Sequence, residues 1–219
     1  MEHRNTLLIF DWDGTLMDSI QHIVNSLQYA MRCLEVSALS EEATKDVIGL
    51  SLREAVQALF PDRLDAQFVD RYVAHFKTHY QEDLPQTTSL FPGAEDTLRT
   101  LKQQGYQLAI ATGKSRAGLT RALNATGIGH YFSASRCADE SRSKPNADMI
   151  HAILRELKVS PHQAVMIGDT EYDLHMAHNA GVSSVGVTYG VHKPERLLAF
   201  RPLGLIHAIT ELPDFLTRE

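Results

Sequence analysis

Short runs rich in Ile, Val and Leu recur along this chain at Leu7–Phe10, Leu108–Ala111, Ala164–Ile167, Val185–Val187 and Leu205–Ile209. Each is too short for a helix, and the middle ones are apolar throughout, as strands covered on both faces should be. Helical patterns lie between them. Those over Ala94–Gln104, Arg116–Thr126 and Glu171–Ala180 run into Gly105, Gly127 and Gly181. Glycine just past the last helical residue is the usual left-handed terminator. Ala147–Leu157 places Met149, Ile150, Ile153, Leu154 and Leu157 on one stripe. Strand and helix alternating at this spacing predict an α/β fold with a doubly wound parallel sheet.

One region breaks the alternation. Between Leu16 and about Leu90 no convincing strand is present, only successive helical patterns. Ile20, Ile23, Val24, Leu27, Ala30, Met31 and Leu34 follow the 3.6-residue period. Ser51-Leu52-Arg53-Glu54 reads as a capping box whose helix runs to Phe60 before Pro61. Phe68, Val69, Tyr72, Val73 and Phe76 form another stripe. The expected organisation is a discontinuous core, residues 1–16 and 91–219, interrupted by a helical insert at 17–90. A length of 219 residues, between one and two typical domains, agrees with that division.

Charge narrows the function. The net charge is −6, and the insert holds six basic residues against eleven acidic ones. A binder of nucleic-acid backbone needs a positive footprint, so no nucleic-acid partner is expected. Cys33 and Cys137 form neither a disulfide framework nor a CxxC metal pair, which suits a reducing compartment. The apolar run before Asp11 is too short for a secretory signal, and no stretch approaches the ~18 apolar residues of a membrane span. A cytoplasmic protein with no membrane partner and no obligate protein partner is expected.

In open parallel sheets, ligands bind beyond the carboxyl ends of the strands. The first strand ends in Asp11-Trp12-Asp13-Gly14-Thr15, two carboxylates two residues apart. The second ends in Thr112-Gly113-Lys114. After a third apolar segment, at about Tyr131–Ser135, comes Lys144-Pro145. The fourth ends in Gly168-Asp169-Thr170, with Asp173 close behind. Such a set suits phosphoryl transfer, which needs an in-line nucleophile, cations on the phosphate oxygens and fixed N–H donors. Asp11 fits the nucleophile, since a carboxylate is ionised at neutral pH without a base. Mg²⁺ on Asp11, Asp169 and a backbone carbonyl would offset the repulsion between two anions. Lys144 would hold nucleophile and phosphate together, while Thr112 and the Gly113 N–H bind phosphate oxygens. Asp13 remains for proton transfer to the leaving alkoxide and from the incoming water.

Asp11-Trp12-Asp13-Gly14-Thr15-Leu16, Thr112, Lys144-Pro145 and Gly168-Asp169 with Asp173 resemble motifs one to four of the haloacid dehalogenase superfamily. The resemblance covers essentially the whole chain. It implies a Rossmann-like core, and the insert is similar to a C1 cap. Leu90-Phe91-Pro92-Gly93 looks like the re-entry into the core of phosphoglycolate phosphatase-like members. It implies that Asp11 is nucleophile and metal ligand, and that Asp13 is acid/base and metal ligand through its carbonyl. Asp169 is implied as a further ligand and Asp173 as a group holding the metal's waters. A carboxylate at Asp13 argues against the dehalogenases themselves. Trp12 stands where Leu or Phe is commoner, and Thr112-Gly113-Lys114 where Thr-Asn is.

By the same resemblance the loop Gly49-Leu50-Ser51-Leu52-Arg53 lies over the phosphate pocket. Arg53 would then meet a carboxylate or second anion of a small phosphorylated metabolite. A sugar phosphomutase of the same fold remains an alternative, as does a non-catalytic phospho-receiver or binding module. Phosphonate hydrolysis needs a Schiff-base lysine from the insert, where only Lys45 and Lys77 are present. Each motif also has a plain structural reading. Thr170 with Asp173 can be a helix cap and its partner. His75 with His79, and His175 with His178, read as solvated helix faces, and Cys137 as a buried or idle thiol.

Overall fold

The computed structural model describes residues 6–63, 65–87 and 89–218. Its strands are β1 (Leu7–Phe10), β2 (Met17–Asp18), β3 (Ser89–Leu90), β4 (Gln107–Thr112), β5 (Ala134–Cys137), β6 (Ala164–Gly168), β7 (Ser183–Val187) and β8 (Gly204–Ile206). Six of them form one sheet in the order β5-β4-β1-β6-β7-β8. All of its pairings are parallel, with Phe10 level with Ile110 on one side and Ile167 on the other. The chain leaves β1, builds outward through β4 and β5, and returns on the opposite side through β6 to β8. That reversal puts a crevice at the carboxyl ends of β1, β4 and β6.

Each face of the sheet has its own helices: α5 (Ala94–Gln103), α6 (Arg116–Thr126), α7 (Asp148–Leu157), α8 (Glu171–Asn179), α9 (Pro194–Leu198) and α10 (Leu212–Arg218). The period-2 alternation of β1 divides its side chains between two buried layers. Leu8 and Phe10 pack with Leu98, Leu101 and Ile206, whereas Leu7 and Ile9 pack with Met149, Ile150, Ile153 and Met176. Apolar residues at successive positions follow from that double coverage. The third apolar segment needs correction: Ile128–Tyr131 is a 3-10 turn and the strand begins at Ala134. The last strand likewise stops at Ile206, and Ile209 opens another 3-10 turn.

Among the described residues, the elements between β2 and β3 are all helices: α1 (Ile20–Cys33), α2 (Glu41–Asp46), α3 (Leu52–Leu59) and α4 (Ala66–Thr87). They share an apolar cluster of their own, built on Leu27, Met31, Val56, Val69 and Tyr72. β2 and β3 pair antiparallel, Met17 with Leu90 and Asp18 with Ser89, so the segment leaves and re-enters through a two-residue ribbon. Two residues per strand carry no period, and the sequence reading passes over them. Among the described residues no helix is long and apolar enough to cross a membrane.

Candidate active site

The sheet delivers its polar residues to one place. Asp11 follows β1, and its N–H donates to Ile167 O of the neighbouring strand (2.9 Å). Asp169 follows β6, Thr112 closes β4, and Lys144 enters from the loop after β5. Asp11, Thr112, Lys144, Asp169 and Asp173 are all buried.

Lys144 Nζ lies 2.6 Å from Asp11 Oδ1 and 2.6 Å from Asp173 Oδ1. Asp169 accepts from the Thr15 hydroxyl on Oδ1 (2.8 Å) and from the Val191 N–H on Oδ2 (2.9 Å). One oxygen from each of Asp11, Asp169 and Asp173 lies within 4.8 Å of the others. Three buried carboxylates thus surround one buried ammonium. Asp11 Oδ2 is buried without a hydrogen-bond partner among the described residues.

Electrostatics express that imbalance. Burial raises the Asp11 pKa well above the carboxylate range; Lys144 opposes the rise, and Asp173 and Asp169 add to it. Burial and then the Asp173 charge push Asp169 up to about 7, against the Val191 and Thr15 hydrogen bonds. Burial disfavours the Lys144 charge, but Asp11 and Asp173 outweigh it and hold the ammonium above its ordinary pKa. An all-oxygen set with excess negative charge suits a hard divalent cation.

Asp173 has two structural relations. Its Oδ2 accepts from Thr170 N–H (3.1 Å) and Thr170 Oγ1 (2.7 Å), completing a reciprocal cap on α8. Its Oδ1 faces Lys144. The capping geometry therefore aims the carboxylate into the crevice.

Asp13 stands at the edge of this cluster. Ser19 Oγ donates to its Oδ1 (2.5 Å), and Lys114 Nζ is 3.0 Å from the same oxygen. Its second oxygen has no hydrogen bond among the described residues. Lys114 Nζ also donates to Tyr80 OH of α4 (2.7 Å). Burial disfavours its charge as well, but the Asp13 carboxylate and Tyr80 raise it above the usual lysine range. The sequence places Lys114 at the Thr112-Gly113-Lys114 strand end without a role for it and does not single out Tyr80. A lysine two residues beyond an apolar strand end was the available signal for the first. Tyr80 sits in mid-helix and offered none.

The helical segment closes over these groups. Gly49, at φ +105°, adopts a conformation that side chains disfavour. A Cβ on Gly113 would sit 2.5 Å from Leu50 O, so the two loops meet backbone to backbone. Half of the expected capping box forms, since the Ser51 hydroxyl accepts Glu54 N–H (3.3 Å). The Ser51 N–H donates instead to Ser143 Oγ of the core (2.9 Å). Asp46 is tied to the core as well, through Arg196 and through its carbonyl to Tyr172 OH (2.9 Å).

Beneath the loop is a cavity of about 330 Å³ that Asp11, Asp13, Gly113 and Lys114 share with residues of α1, α3 and α4. Arg53 lines it too, with its guanidinium Nη1 2.6 Å from Asp70 Oδ1 on an exposed face. Of the histidines, His79 packs on Tyr29 and lies 3.0 Å from Ser26 Oγ, and His175 stacks on Phe200. His79 and His175 are therefore partly packed, while His178 is exposed as expected of a solvated face. Cys137 is buried, and burial raises its thiol to about 12.

The model of the haloacid dehalogenase-like hydrolases matches residues 8–187. A protein of Dickeya dadantii described as "Probable phosphatase IndB" is 34% identical over 209 residues, 94% of this chain and 91% of its own length. A phosphoglycolate phosphatase of Agrobacterium fabrum is 31% identical over 188 residues, 84% of this chain and 81% of its own. The crystal structure of a predicted phosphoglycolate phosphatase from Haemophilus somnus superposes with a TM-score of 0.87 at 26% identity, covering 98% of both chains. With its carboxylates at the ends of β1 and β6 and a family match spanning most of its length, the chain belongs to the haloacid dehalogenase-like hydrolases.

Proposed function

We infer that this hydrolase is a Mg²⁺-dependent phosphatase acting on a small phosphorylated metabolite through an aspartyl-phosphate on Asp11. The observation that carries the reading is the trio of buried carboxylates around Lys144, with Asp11 Oδ2 unpartnered at the cavity. Bound Mg²⁺, held by Asp11, Asp169 and the Asp13 carbonyl, would neutralise phosphate charge beside the nucleophile.

The chain's own groups then divide the work. Asp11 forms the O–P bond as the bond from phosphorus to the alcohol oxygen breaks. Lys144 fixes the Asp11 carboxylate and offsets charge as the phosphate arrives. The Thr112 hydroxyl and Gly113 N–H are the donors for phosphate oxygens. Asp13 gives a proton to the leaving oxygen through its free carboxylate oxygen. It then takes one from the water that displaces Asp11 from phosphorus, which returns Asp11 to its carboxylate and Asp13 to its protonated form. Asp173 supports the arrangement by holding Lys144, and would hold the waters of a bound metal.

Residues 17–90 act as a cap over a core of 1–16 and 91–219. Their separate apolar cluster, the ribbon at their base and the cavity beneath them support that division. Reduced thiols agree with a cytoplasmic location. The test is turnover of p-nitrophenyl phosphate by protein stripped with EDTA, then reloaded with Mg²⁺. Activity is expected only after reloading, and undiminished activity in EDTA would reject the reading.

A further inference from the structure

The cavity has two unlike ends. Its floor is the polar cluster of Asp11, Asp13 and Lys114. Much of the remaining wall is apolar, from Ile23, Leu50, Leu52, Val73 and Phe76. Each of these five packs on the insert's apolar cluster yet is only half-buried. Their remaining apolar surface borders the space where the alcohol of a phosphate ester must lie. Phe76 and Tyr80, four residues apart on α4, add a stacked pair of rings with centroids 5.4 Å apart and planes at 15°.

The buried charged groups around the cavity are otherwise occupied. Lys114 is shared between Asp13 and Tyr80, and the exposed Arg53 is paired with Asp70. Asp139 accepts the Arg116 N–H (2.8 Å). Lys77 and Arg121 also line the cavity, on side chains exposed to water. Among the described residues, no buried cation is left unpaired for a second anion on the substrate. A carboxylate next to the phosphate would lose water against an apolar wall without a compensating partner. An apolar group there gains from the same burial.

We propose that the substrate is the monophosphate of a compact alcohol with an apolar body, aliphatic or aromatic, rather than a phosphorylated carboxylic acid. This rests on the phosphatase reading above. The volume of about 330 Å³ lies at the low end of ligand pockets (roughly 300–1,000 Å³), which excludes a large polyanion.

Two measurements separate this inference from the reading beneath it. With Mg²⁺, a series of n-alkyl monophosphates from methyl to hexyl should show kcat/KM rising about fourfold per methylene until the cavity is filled. Phenyl phosphate should exceed 2-phosphoglycolate at least tenfold. Calorimetry on Asp11→Asn should give the same order of binding without turnover, and Phe76→Ala should lessen the preference while inorganic phosphate binds as before. A flat series with all esters hydrolysed overturns the apolar substrate and leaves the phosphatase intact. Preferential binding of phenyl phosphate without any turnover does the reverse. Preference for phosphoglycolate in either measurement, or failure of Asp11→Asn to bind either ester, overturns the proposal.

Discussion

The catalytic crevice and the helical insert solve different physical problems with different residues. In the core, three functional side chains sit where a strand has just ended: Asp11 after β1, Thr112 at the end of β4, Asp169 after β6. A parallel sheet forces those ends together, so the chain needs only the right residue at each. The cost is electrostatic, because three carboxylates and one lysine share a buried volume. In the insert, function resides in apolar residues spaced at helical period, among the ones that also make its core. Loss of one charge in the crevice should therefore matter far more than loss of one contact in the insert.

Asp11→Asn tests the crevice at its strongest point. The substitution is nearly isosteric and leaves Lys144 paired with Asp173, so the fold should persist while turnover falls below a few per cent of wild type. Circular dichroism with a phosphate-release assay checks both. Retained turnover would move the nucleophile elsewhere and remove the asymmetry between the two regions.

Lys144→Met should produce the largest change in stability. It strands Asp11 and Asp173 without the ammonium 2.6 Å from each. Removing one partner of a buried ion pair costs about 3–5 kcal/mol. Urea unfolding in EDTA should show that loss, and Mg²⁺ should recover a large part of it. A loss under ~1 kcal/mol would mean that the carboxylates are not charged together in the metal-free protein.

The third prediction concerns pH. Asp169 has an ordinary pKa of 3.8 and is raised to about 7 in the fold, so the folded metal-free protein retains a proton that the unfolded chain releases. Its contribution to stability is complete below about 3.8 and is lost as pH rises through 7. A divalent cation that binds the ionised carboxylate reverses that loss. The rise in Tm on adding Mg²⁺ should thus be small at pH 5, grow through pH 7, and flatten in Asp169→Asn. A rise independent of pH would place the cation away from Asp169.

These contrasts also explain what the sequence reveals. Strands apolar at every position and helices ended by glycine define the sheet, since those patterns arise from local geometry and double coverage. The four polar strand ends are legible because topology alone brings them together. The two-residue ribbon of β2 and β3 is not, being too short for any period. Nor is Tyr80, whose place at Lys114 depends on how α4 crosses the core. Ser51 shows the limit well: its sequence neighbours specify a capping box, but a serine 92 residues away takes its N–H.

Tyr80→Phe probes the seam between the two regions. It removes one hydrogen bond to Lys114 while keeping the ring, over which the ammonium lies 4.7 Å from the centroid. A hydrogen bond to a charged group is worth about 1.5–3 kcal/mol, and the retained ring offsets part of that. A fall in kcat/KM of about tenfold, with Tm little changed, is expected. No effect on either would make Asp13 independent of the insert.

The smallest effect is expected at Arg53. Its position in the first turn of α3 suggests a partner for a substrate carboxylate, which would make Arg53→Ala raise KM at least tenfold. In the fold Arg53 already holds Asp70 at 2.6 Å, with the two side chains 55% and 63% exposed. An exposed pair of this kind is worth about 0.2–1 kcal/mol. A substrate carboxylate that displaced Asp70 would exchange one such contact for another and gain little. Arg53→Ala should accordingly change KM for phosphoglycolate by less than about fivefold, the equivalent of ~1 kcal/mol, and for phenyl phosphate hardly at all. Asp70→Ala sharpens the comparison, because it frees the guanidinium without touching the cavity wall. If Arg53 has any share in recognition, this variant should tighten phosphoglycolate and leave phenyl phosphate unchanged. A tenfold rise in KM for phosphoglycolate alone in Arg53→Ala would instead make the insert a charged recognition surface, and its apolar wall mere packing.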